Sequence, residues 1–252
     1  MPGTTRSDYT RLNLPRARDD RPCVLVNMVT SLDGKAVIEG TERGLGSAAD
    51  ARLMQELRSN VDMVLNGAGT LRASGSSSRV DDADLLALRA ERGTPGSPLA
   101  AVLSGSGDLP LERPFFTSAA FDAVVYLTER TPQKRVEAIA ATGRRVVMLE
   151  AGDEVRSMLR HMRRELAVGV LLVEGGPRLN GELFELGAVD ELFLTLSPLV
   201  VGGHHLPTAV EGARAPALDT VTRLEPLSAV PNPETGELYL RYRVSGRGAL
   251  MR

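Results

Sequence analysis

One cysteine, Cys23, and three histidines, His161, His204 and His205, occur in 252 residues. Neither a disulfide framework nor a cysteine-rich zinc site can be assembled from so few ligands within one chain. Lysine is nearly absent as well: of 30 basic residues only Lys35 and Lys134 are lysines, against 28 arginines. The net charge of −2 removes the electrostatic reason to expect a nucleic-acid or membrane-surface partner. No apolar run approaches the roughly 18–20 residues of a spanning helix, and the first twenty residues mix arginine with aspartate without a signal-like apolar core. A G-x-S-x-G nucleophile elbow and a P-loop are both missing. What remains is a chain of cytoplasmic type, expected to work without metal, with residues 1–20 as an arm that is disordered or packs on a partner subunit.

The rest alternates short apolar runs with helical patterns. Strands are expected at 23–29, 63–66, 99–104, 123–128, 145–149 and 168–174, and helices at about 48–60, 82–92 and 154–166. Ser47 and Asp50 resemble a capping box, and Thr131-Pro132 an N-cap followed by proline at the first helical position. Such alternation predicts an α/β fold with a mostly parallel sheet covered on both faces. The last third differs, with strands at 192–196, 222–227 and 238–244 and a turn-forming Pro231–Gly236, which predicts an antiparallel hairpin at the sheet edge.

Ligands of open α/β sheets bind beyond the carboxyl ends of the parallel strands, so the residues after each strand are the candidates. Gly67-Ala68-Gly69-Thr70 combines close backbone approach with a hydroxyl, although Arg72 stands where a dinucleotide fingerprint would place its third glycine. Glu174-Gly175-Gly176-Pro177 puts a carboxylate beside an anion-binding nest and a helix start. In Ser31–Lys35, Asp33 suits a turn-holding role and Lys35 a ligand-facing one. His161, in an arginine-rich helical stretch, is expected at the surface, and adjacent His204 and His205 lack a third partner for a metal or relay.

Taken in order, Asn27–Lys35, Leu57-Arg58, Gly67–Thr70, Leu172–Pro177, Val189–Leu192, Ser197-Pro198 and Val201–Gly203 resemble the riboflavin-biosynthesis pyrimidine reductase family. In that family the same unit is the C-terminal half of a bifunctional deaminase-reductase. The resemblance spans about residues 21–245 and implies a single dihydrofolate-reductase-like domain over 21–252, NADPH as hydride donor and a homodimer. It also implies reduction of a ribosylamino to a ribitylamino group on a phosphorylated pyrimidine of the 5-amino-6-ribosylamino-uracil type. By the same resemblance Val29, Gly67, Gly69, Thr70, Ser104, Gly175, Gly176, Pro177, Leu179 and Asn180 would line the cofactor, and Arg58 and Glu174 would face the substrate. Lys35, with Glu174, is the candidate for catalysis, and Arg79 for an anion on the substrate. This chain carries Ser74–Arg79 where the family usually has aspartates, so a dihydrofolate or other pterin-like reductase and a non-catalytic NADPH-binding protein stay open as alternatives. A preference for NADPH over NADH is implied by the resemblance alone.

Overall fold

The computed structural model describes residues 7–75, 78–213 and 217–248. Strands β1 (Cys23–Ser31), β2 (Met63–Gly67), β3 (Leu99–Ser104), β4 (Ala123–Thr128), β5 (Arg145–Leu149), β6 (Val170–Val173), β7 (Glu191–Ser197), β8 (Thr222–Pro231) and β9 (Leu238–Arg247) form one sheet. Helices α1 (Ala48–Arg58), α2 (Ala68–Ser74), α3 (Ala83–Glu91), α4 (Pro114–Thr117), α5 (Gln133–Ala140), α6 (Glu154–Arg164) and α7 (Pro177–Glu185) flank it. The strand order is β5-β4-β3-β2-β6-β1-β7-β9-β8. The first seven run parallel and the hairpin β8–β9 closes the edge antiparallel, as expected from the pattern.

Strand alternation divides the core. Val24, Val26, Met63, Leu65 and Tyr126 turn to one face, where they meet Met158, Leu159 and Met162 of α6 and Leu183 of α7. Cys23, Leu25, Val64 and Phe193 turn to the other and meet Leu53 and Leu57 of α1. Further along that face Leu71, Phe115, Phe116 and Ile139 cover β3 and β4. A buried helix face of this kind, rather than intrinsic propensity, supplies most of the stability of helices this short.

Several expectations are corrected. Over its described part the arm makes contacts within its own chain: Tyr9 packs edge-on against Phe193, its N–H donates to Glu56 and its carbonyl accepts from Asn60. Thr131 does not cap α5, because its hydroxyl donates to the Gly105 carbonyl instead. His161 is half-buried against the Tyr126 ring, with Nδ1 3.0 Å from the phenol oxygen, and burial pushes its imidazole down. β6 is shorter than expected, since the chain turns at Glu174, whose N–H already donates to Leu65 of β2.

Candidate active site

A cleft of about 1260 Å³ opens beyond the carboxyl ends of β1, β2, β3, β4 and β6. Its floor is glycine. The Gly67 N–H donates to the Gly175 carbonyl at 2.8 Å, and a Cβ at Gly67 would stand 2.9 Å from the Gly176 nitrogen. Only a residue without a side chain permits that approach, which explains the glycine at the end of β2. Gly175 itself takes a positive φ of 89°, a conformation that suits glycine, and the Gly175–Gly176 peptide is cis. The Thr70 hydroxyl sits over this pair, 3.3 and 3.4 Å from where their Cβ atoms would be. Helix α7 starts at Pro177, directly after the glycines, so its first N–H groups stand at the cleft.

One rim carries a buried ion pair. Arg58, at the end of α1, grips Glu174 with both prongs, Nε to Oε1 at 2.7 Å and Nη2 to Oε2 at 2.8 Å. Both side chains are under a tenth exposed. Burial acts to lower the guanidinium, and the Glu174 charge and hydrogen bond outweigh it and hold it above its ordinary value. Its third nitrogen donates to the Arg79 carbonyl at 2.8 Å. Bidentate geometry of this kind fixes a carboxylate in orientation as well as in charge.

Asp50, on the first turn of the same helix, also lines the cleft. Ser47 caps this helix, accepting from the N–H groups of Ala49 and Asp50, but the reciprocal half of the expected capping box is absent. Glu237 takes that place: its Oε1 accepts from the Ser47 N–H at 2.7 Å and its Oε2 from the Ser47 hydroxyl at 2.6 Å. Asp50 turns instead to β7, where Oδ1 accepts from the Thr195 hydroxyl at 2.6 Å. Burial pushes its carboxyl up to about 6, the Glu237 charge adds to this, and the Thr195 bond opposes it. Burial likewise acts to raise Glu237, but bonds from Ser47, Tyr239 and Thr235 overcome it and leave that group below the usual range.

The structure brings together most of the residues singled out from sequence. Val29, Arg58, Gly67, Gly69, Thr70, Ser104, Glu174, Gly175, Gly176, Pro177 and Leu179 all line the cleft. Three others do not. Lys35 bridges Thr208 through its backbone and lies outside the cleft wall, to which its neighbours Ala36 and Val37 contribute. Arg79 offers its carbonyl to Arg58 while its guanidinium reaches Asp81 at 3.4 Å, away from the cleft. Asn180 is fully buried behind the first turn of α7 and donates to the Ala209 carbonyl. Asp33 has the structural role expected, accepting from Ser31, Val201 and Gly202 and held at about 2 by the Ser31 bond first and the two backbone bonds next. His204 and His205 are exposed in their loop. Ser76 and Ser77, the centre of the serine-rich segment, lie outside the described residues. Sequence reasoning missed Asp50, Arg130 and the loop from Glu42 to Gly46 as cleft residues. Asp50 carried a signal, a carboxylate after Gly46-Ser47, but one that a helix cap explained equally well.

Among the described residues, no group of three or more histidines, cysteines or carboxylates is placed to hold a metal. No helix among them is long and apolar enough to cross a membrane.

Fold and cleft together define a dihydrofolate-reductase-like α/β protein. A solved dihydrofolate reductase from Enterococcus faecalis, complexed with NADP(H), superposes with a TM-score of 0.51 at 15% identity, covering 92% of this chain and 99% of that one. A pyrimidine reductase-like protein from Corynebacterium diphtheriae superposes with a TM-score of 0.80 at 22% identity, covering 89% and 92% of the two chains. The particular family follows from sequence: residues 22–231 match the RibD C-terminal domain, and the chain belongs to that family. Among curated relatives, the 2,5-diamino-6-ribosylamino-4(3H)-pyrimidinone 5′-phosphate reductase of Archaeoglobus fulgidus is 29% identical over 193 residues, covering 76% of this chain and 87% of the relative.

Proposed function

We propose that this protein is an NADPH-dependent reductase of riboflavin biosynthesis that converts the ribosylamino group of a phosphorylated pyrimidine to a ribitylamino group. The observation that carries the reading is the glycine-floored cleft, with Arg58 and Glu174 locked on its rim, in a chain of the RibD C-terminal domain family.

The residues present fit a dinucleotide. Gly67, Gly69 and Gly176 present bare backbone, Thr70, Ser104 and Thr128 present hydroxyls, the start of α7 presents N–H groups, and Arg72 and Arg130 add cations beside β3 and β4. These are the groups that would hold pyrophosphate and ribose, with Val29 and Leu179 as apolar wall. NADPH, when bound, supplies a hydride. The chain's own contribution is alignment and electrostatics. Glu174, fixed by Arg58, is an acceptor for pyrimidine N–H groups, and the cleft walls orient the sugar carbon.

The test is NADPH oxidation on addition of the ribosylaminopyrimidine phosphate, in both its diaminopyrimidinone and its aminouracil forms, with NADH and dihydrofolate as parallel arms. Turnover of either phosphorylated pyrimidine with NADPH is expected. Turnover of dihydrofolate alone, or NADPH binding without oxidation by any acceptor, would reject the reading. On the same reading we propose a cytoplasmic homodimer. Leu218, Val221, Leu224 and Leu227, exposed on and beside the edge strand β8, support the dimer, which sedimentation would show as a mass of twice one chain. The lone thiol, Cys23, is buried and free, in keeping with a reducing compartment.

A further inference from the structure

We infer that Asp50 is the acid of this reaction, a carboxylic acid held on Thr195 at the cleft wall that gives a proton to the substrate nitrogen as the adjoining sugar carbon is reduced. The inference rests on the reductase reading above.

Reduction of an N-linked sugar carbon to a CH2 group needs the opened, imine form of the sugar, and a C=N bond takes up a hydride and a proton together. The hydride's electron pair makes the new C–H bond at C1′. The π pair of the C=N bond moves to nitrogen, which takes the proton, while the nicotinamide is oxidised. Asp50 is left as a carboxylate and is reprotonated from solvent through the open side of the cleft.

Glu174 is unsuited to this task, since both of its oxygens are already engaged by the buried Arg58 guanidinium. Asp50 is built the other way. Among the described residues no cation lies within ion-pair distance of it, and its one hydrogen bond is from a neutral hydroxyl. Two features release it from ordinary helix work. Glu237, arriving from the start of β9, occupies the Ser47 N–H that a capping-box Asp50 would take. Gly46 leaves room for the carboxyl, which would collide with a Cβ at that position. Thr195, its anchor, pairs directly with Val29 across β1 and β7, so the acid stands beside a strand residue that lines the cleft.

The groups around it suit proton transfer near neutrality. Glu237 faces it from the hairpin, Tyr9 and Tyr239 lie in the same buried neighbourhood, and Thr195 faces it from β7. Burial first and the Glu237 charge next hold the carboxyl at about 6, against the Thr195 bond. A group so poised matches the requirement for general acid catalysis at working pH.

The experiment is the pH dependence of kcat for wild type, Asp50→Asn and Thr195→Val, with KM, NADPH affinity and thermal unfolding measured alongside. For wild type, kcat falls tenfold per pH unit above the acid's pKa. Asp50→Asn is expected to lose about 10²–10⁴-fold in kcat and that alkaline limb, with NADPH affinity unchanged. Thr195→Val removes the bond that favours the anion, so its alkaline limb moves to higher pH. An Asp50→Asn enzyme with near-wild-type kcat and the same limb would overturn the inference, and so would an unmoved limb in Thr195→Val, which decides the matter even if Asp50→Asn fails to fold. Wild type inactive on every ribosylaminopyrimidine would instead sink the reductase reading, and this inference with it.

Discussion

Two carboxylates of the cleft wall, one at each end of α1, are held in opposite ways. Glu174 is held at both oxygens by the Arg58 guanidinium, so its direction is fixed. Asp50 is desolvated to a similar end without a cation, so it titrates near neutrality. The partner is what differs: Arg58 fixes one carboxylate in direction, while Thr195 offers the other a single neutral hydroxyl. A pair of carboxyls with environments pushed apart is a recurring way to divide orientation from proton transfer.

The comparison breaks most visibly at the ion pair. Glu174→Gln leaves the buried Arg58 charge without its partner, and a loss of about 3–5 kcal/mol in unfolding free energy is expected. Denaturant titration measures it. Arg58→Gln combined with Glu174→Gln should recover a large part of that loss, and an unchanged midpoint for the single variant would show the pair to be solvent-screened.

At Asp50 the sign reverses. Its carboxyl ionises at about 6 in the folded protein and near 3.8 in the unfolded chain. The stability of the protonated form is therefore complete below pH 4 and lost as pH rises through 6. Asp50→Asn, which never ionises, should exceed wild type by up to about 3 kcal/mol above pH 6, with the gain fading to nothing near pH 4. Thermal unfolding at pH 4 and pH 8 checks this, and a gain equal at both would refute it. A variant more stable and less active than wild type marks a group kept for chemistry rather than for folding.

The glycine floor of the cleft gives two smaller effects. Gly67→Ala pushes a methyl group against the Gly176 nitrogen, and a cost of about 1–3 kcal/mol is expected, with weaker NADPH binding. Calorimetric titration and unfolding together measure it. Thr70→Val removes one hydroxyl beside the Gly175–Gly176 pair, and NADPH affinity should fall by about 1 kcal/mol, roughly fivefold, without loss of stability. An unaltered dissociation constant would remove Thr70 from the cofactor site.

The parallel strands, the terminal hairpin and its Pro231–Gly236 turn are legible in sequence because each depends on local periodicity and turn chemistry. The glycine floor is legible for the same reason, two short motifs at strand ends. What escapes is whatever a distant residue decides. Ser47 and Asp50 look like a complete cap until Glu237, 190 residues on, takes half of it. Tyr9 is hydrophilic-arm sequence until Phe193 gives it a surface. Lys35 stands next to cleft residues in sequence, but its backbone pairs with Thr208, and Ala36 and Val37 contribute to the wall from which Lys35 is missing. Asn180 follows the glycine motif in sequence, yet the turn of α7 carries it behind the cleft, toward Ala209.

The proposed reaction is hydride delivery to the sugar carbon of a phosphorylated ribosylaminopyrimidine in this cleft. Its most direct test is a turnover with NADPH deuterated at the transferring position of the nicotinamide, followed by analysis of the pyrimidine product. Deuterium at C1′ of a ribityl chain is the predicted result. Oxidation of NADPH with no deuterium at that carbon, or no ribityl product at all, would contradict the account.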